Sequence, residues 1–135
     1  MKAPEQKPGT QLAGQNCTSL ESFYEAWCRL IRGFNNLTPQ QEQFLALILA
    51  RRHRLSKVIL DENLLTKNIF DTEFRGEVVE KLGLTSKQNV ANLINSMKKE
   101  GVLNEDLTIN RRYIPNVDFN KNTFSITVAF KYVNE

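Results

Sequence analysis

The chain has 135 residues, 41% apolar and 24% charged, with a net charge of +3 and a pI near 8.9. That is enough for one domain with one core, in the ordinary composition of a globular protein. No run approaches the roughly 18 apolar residues of a helical membrane span, and the mild basic excess permits nucleic-acid contact without indicating it.

The first segment, MKAPEQKPGTQLAGQ, carries Pro4, Pro8, Gly9 and Gly14 and little to bury. Its composition predicts a flexible or partner-bound tail over residues 1–17, ahead of a single domain over 18–135. It lacks the apolar stretch of a secretory leader, so the expected compartment is the cytoplasm.

In TSLESFYEAWCRLIRGF, Thr18 stands three residues before Glu21, the spacing of a capping box. Leu20, Phe23, Trp27, Leu30 and Ile31 recur at helical intervals and Gly33 follows as a stop. A helix is predicted over Ser19 to Arg32, its aromatic stripe serving core or interface. Along such a helix Cys17 and Cys28 lie roughly 16 Å apart. A disulfide needs about 7 Å or less, so both are expected as free thiols.

LTPQQEQFLALILARRHRL offers Thr38 as cap, Pro39 at the first helical position and Gln41 at the third. The run Phe44 to Leu49 predicts a largely buried helix. Arg51, Arg52, Arg54 and Lys57 crowd its last turn. They read either as a solvated helix end, where cations are favoured, or as a phosphate-binding patch. His53, the lone histidine, is expected at a partly exposed helix end rather than in a metal site. SKVILDENLL then predicts a loop with a short strand or one helical turn.

DTEFRGEVVEKLGL predicts a helix over Thr72 to Leu82, with Phe74, Val78, Val79 and Leu82 inward and Gly83 as its end. LTSKQNVANLINSMKKEGVL follows, with Thr85 as cap and Gln88 at the third position. The predicted helix runs from Ser86 to Glu100. Val90, Leu93, Ile94 and Met97 fall at i, i+3, i+4 and i+7, and Gly101 is the stop. The period then becomes two. VLNEDLTINRRYIP predicts two strands about a turn at Asn104 to Asp106. FSITVAFKYV predicts a long strand with Phe124, Ile126, Val128, Phe130 and Tyr132 on one face.

The fold class expected from this order is mainly α with a small β-sheet. A short helix, a glycine turn, a longer helix and a hairpin follow one another in VVEKLGLTSKQNVANLINSMKKEGVL. That segment resembles the recognition core of MarR-type and related winged helix-turn-helix regulators, and covers roughly a third of the chain. The resemblance implies a winged helix with an added N-terminal helix, and double-stranded DNA as partner. Ser86, Lys87, Gln88, Asn89 and Asn92 would face the major groove, and Arg111 and Arg112 on the wing would grip phosphate. Such regulators commonly place an arginine where this chain has Asn92. An amide-rich face implies weak or helper-dependent binding, because phosphate attraction dominates affinity.

A second class is equally compatible with the sequence. Segments from LTPQQEQFLALIL to LTINRRYIP resemble small winged-helix proteins of tailed phages of Bacteroidetes. That implies a phage regulator or a connector- or ring-type component of the virion. The protein would then contact itself or other subunits through Phe23, Tyr24 and Trp27 of the first helix and Phe130 and Tyr132 of the last strand. An enzyme is not expected. No glycine-rich phosphate loop follows a strand, one histidine cannot furnish a nucleophilic triad, and no pair of carboxylates is singled out. No cofactor or metal is expected.

Overall fold

The computed structural model describes residues 16–125 and 130–133. The expected tail over 1–17 falls outside the described residues except for Asn16 and Cys17, as does Ile126 to Ala129 of the expected last strand.

Short polar side chains start most of the helices. Ser19 caps α1 (Leu20–Leu30) in a reciprocal box with Ser22: the Ser22 amide donates to Ser19 Oγ at 3.0 Å, and the Ser19 amide to Ser22 Oγ at 3.2 Å. The expected pair, Thr18 and Glu21, is displaced by one residue because Ser19 has the extended backbone a cap requires. A 3-10 turn at Arg32–Phe34 follows. Thr38 caps α2 (Pro39–Ser56) as the sequence predicts, with Pro39 first and the Thr38 amide donating to Gln41 Oε1 at 2.8 Å.

The segment SKVILDENLL departs from expectation. Its second half opens α3 (Glu62–Ile69), a full eight-residue helix. Asp61 caps it by accepting from the Asn63 and Leu64 amides, and Leu65 and Ile69 are its buried side. The α4 helix (Thr72–Leu82) has the predicted bounds, an Asp71 cap and Gly83 in the left-handed region at φ 65°. There the Leu84 amide donates back to the Val79 carbonyl at 2.9 Å, which satisfies the helix end and turns the chain. Its inner face narrows to Phe74 and Val78, with Val79 and Leu82 half-buried.

The α5 helix (Lys87–Lys99) has Ser86 at its cap position instead of Thr85. Neither hydroxyl caps a backbone amide; both donate to Asn89 Oδ1, at 3.3 Å from Thr85 and 2.9 Å from Ser86. Val90, Leu93, Ile94 and Met97 are buried as the periodicity requires. Gly101 breaks the helix at φ 78°.

All seven residues from Phe44 to Ala50 are buried. That continuous run, apolar around the whole cylinder, makes α2 the hub, with α1, α3, α4 and α5 packed around it. The lone histidine corrects its expectation: His53 is buried at 3% exposure and its Nδ1 lies 2.7 Å from Tyr24 Oη, which joins α1 to α2. Phe23, Tyr24 and Phe119 ring it. Burial lowers its pKa from the usual value, with Lys57 and Arg54 adding to the effect.

The β content is smaller than the alternating sequence predicts. The expected two strands in VLNEDLTINRRYIP reduce to a single antiparallel bridge, Leu103 to Ile109, closed by a turn in which Leu107 takes φ 68°. The second of them ends in a 3-10 turn at Arg111–Tyr113. Of the expected last strand, only Phe124 lies in a strand among the described residues. β1 (Val117–Asp118) and β2 (Thr123–Phe124) pair antiparallel in register Val117–Phe124. The architecture is thus mainly helical with a two-stranded antiparallel sheet.

Candidate nucleic-acid interface

The sequence singles out two groups of side chains, and the fold treats them differently. On α5, Ser86, Lys87, Gln88 and Asn92 are exposed and Asn89 is half-buried. Opposite them lies the buried row that fixes the helix against α2 and α4. Ser86 and Asn89 hold each other at the helix start, while the Gln88 amide nitrogen donates to Asn92 Oδ1 at 3.4 Å, a long hydrogen bond. Without a side-chain cap, the first-turn amides of α5 remain an anion-attracting end. Between this face and the start of α2 lies an open cleft of about 310 Å³. Asn89, Asn92 and Ser96 form one wall, Thr38, Gln40 and Gln41 the other, and Gln41 Nε2 bridges to Ser96 Oγ at 3.2 Å.

Arg111 and Arg112 are both exposed. They lie in the 3-10 turn after the bridged loop, next to the C-terminal end of α5, where Asn110 Nδ2 donates to the Gly101 carbonyl at 3.1 Å. Arg112 stacks on the Tyr113 ring with its guanidinium carbon 4.9 Å from the centroid. The loop tip carries Glu105 and Asp106, both exposed. Hydrogen bonds from the Thr108 hydroxyl and amide hold the Asp106 carboxyl below its ordinary range. An anionic tip repels phosphate.

The three arginines of the basic run at the end of α2 are paired within the chain. Arg51 pairs with Asp71 at 2.7 Å, Arg52 with Glu62 at 3.1 Å and Arg54 with Glu21 at 2.8 Å. These pairs tie α2 to the starts of α3, α4 and α1, so the cluster acts as staples between helices. Its composition could not reveal the carboxylates that meet it.

The expected protein-contact residues also divide. Tyr24 and Trp27 are buried within the chain, and Phe23 is half-buried against Tyr24 and Phe124. They belong to the intramolecular core, which removes them as a free surface. Phe130 and Tyr132 are 95% and 86% exposed. Both cysteines are free, Cys28 buried and Cys17 half-buried.

Among the described residues no three His, Cys, Asp or Glu side chains gather to hold a metal ion, and no helix is long and apolar enough to cross a membrane. Set against known protein families, curated proteins and solved structures, the chain matches none of them.

Proposed function

We propose that the protein is a non-enzymatic DNA-binding factor of the winged helix-turn-helix type, which presents the outer face of α5 to the major groove. The observation that carries this reading is the division of α5. One side is fixed in the core behind α4, and the other offers Lys87, Gln88 and Asn92 to solvent at an uncapped helix start. A rigid helix with a polar leading end suits groove insertion. The reading needs no cofactor.

Lys87 is the one cation at the groove-facing start of α5, so affinity should be modest and fall only gently as salt rises. Duplex binding measured across a salt series tests this. Binding at low salt with a shallow log–log slope is expected, and Lys87→Ala should flatten the slope by about 0.9 if it meets one phosphate. Absence of binding at low salt overturns the reading. Arg111→Ala/Arg112→Ala should flatten the slope as well if the exposed pair meets phosphate.

A second reading, an assembly role in the cytoplasm or a virion, draws on a different observation. Phe130, Tyr132 and Val133 are all strongly exposed at the end of the chain. Solvent-exposed clusters of large apolar side chains commonly mark protein contacts. Light scattering at high concentration tests it. A dimer or larger species that dissociates in Phe130→Ser/Tyr132→Ser supports it, and a clean monomer opposes it.

A further inference from the structure

The outward side of α5 is a row of amides. Gln88, Asn92 and Asn95 follow at steps of four and three residues, all exposed, and Lys99 continues the row one turn on. This is the side opposite Val90, Leu93, Ile94 and Met97. α5, with the sequence KQNVANLINSMKK, contains no arginine. Across the cleft, exposed Gln40 adds another amide from the first turn of α2. Asn89 differs from these in degree: its carbonyl oxygen accepts from two hydroxyls, whereas Asn92 Oδ1 takes one long hydrogen bond of 3.4 Å from Gln88 Nε2.

The chemistry of base edges gives this row a meaning. In the major groove adenine shows an acceptor, N7, beside a donor, N6, whereas guanine shows two acceptors, N7 and O6. A carboxamide carries one acceptor and two donors on adjacent atoms, and it keeps both kinds whichever way it is flipped. It matches adenine with two hydrogen bonds, while guanine's paired acceptors are matched best by arginine's two parallel donors. From residue 88 to residue 95 the helix rises about 10 Å. Stacked bases advance ~3.4 Å per step, so the row spans roughly three base steps.

We infer that the amide row Gln88–Asn92–Asn95, extended by Gln40 across the cleft, makes the protein an adenine reader that selects A·T-rich duplex through the major groove. This rests on the DNA-binding reading above and adds the class of sequence recognised. Gln88 and Asn92 are the specificity-determining pair. Ser86 and Asn89 are positioning residues that hold the helix start.

The test is a competition for the full chain among three duplexes of equal length and charge. One has an A·T core, one a G·C core, and one an A·T core in which 7-deazaadenine replaces adenine. That base keeps its pairing and minor-groove edge and lacks only the N7 acceptor. The expected result is preference for the A·T core over G·C by about five-fold or more per adenine read. Most of that preference should disappear with 7-deazaadenine. Gln88→Ala and Asn92→Ala should each lower the A·T preference by weakening A·T binding more than G·C binding. Both positions are exposed, and circular dichroism checks that the helices persist. Equal affinity for all three duplexes, a G·C preference, or an A·T preference undiminished by 7-deazaadenine overturns the adenine reading while DNA binding stands. Failure to bind any duplex at low salt overturns both.

Discussion

His53 and Tyr24 show how one contact sets a pH response. The folded chain holds His53 below its usual pKa, chiefly because it is buried, with the cationic Lys57 and Arg54 nearby. The unfolded chain therefore takes up a proton at a higher pH than the folded one. Stability should be level above about pH 7 and fall as pH drops below about 6.5, well above the carboxylate range. Urea denaturation from pH 8 to pH 5 measures it. Tyr24→Phe removes the hydrogen-bond partner of Nδ1, which should cost about 1–2 kcal/mol at pH 7. Cys28 gives a second expectation. Burial, with Glu42 and Glu25 nearby, pushes its thiol up to about 12. A thiol reagent at pH 8 should label Cys17 in the folded chain and reach Cys28 only after denaturant is added. Neither environment was legible in the sequence. Tyr24 is 29 positions from His53, and Arg54 is 33 from its partner Glu21. Only the folded chain brings such groups together.

Capping was legible where cap and periodicity agreed. Thr38, Pro39 and Gln41 all fall where the pattern places them, and Thr38→Ala should lower stability by about 1 kcal/mol in a denaturant melt. The helix α3 was missed because eight residues rarely hold a helix in isolation. Its support comes from Leu65 and Ile69 packing into the common core, with the Asp61 cap as the one local signal. The two strands expected in VLNEDLTINRRYIP shrank to the Leu103–Ile109 bridge for the converse reason. Alternation states which faces a strand would have, but a strand also needs a neighbour to bond to. The candidate face on α5 was legible in its residues and not in their division of labour, since the hydroxyl contacts that withdraw Asn89 depend on backbone geometry at Ser86.

The molecule as a whole was legible as a series of helices with a minor sheet, because each long helix carries its own buried side in its spacing. The arrangement around α2 follows from the seven-residue run that no single partner can cover. A large-to-small change there should be severe. Phe44, fully buried, should lose about 3–5 kcal/mol as Phe44→Ala. Against a typical total of roughly 5–15 kcal/mol, that variant should melt far below the parent in a thermal scan. Lys57→Ala, exposed at the end of the same helix, should leave the midpoint nearly unchanged.

Trp27 is the chain's one tryptophan, it is buried on α1, and its indole Nε1 donates to the Tyr113 carbonyl 86 residues later. The protein thus carries a single tryptophan at the seam between its first helix and the segment beyond the bridged loop. Its emission should stay red-shifted until α1 has docked against the segment around Tyr113. Helix formation is complete in microseconds, whereas closing so long a loop is slower. In a stopped-flow refolding experiment the ellipticity should therefore rise before the tryptophan emission shifts to the blue, and the interval between the two signals times the closure of the fold.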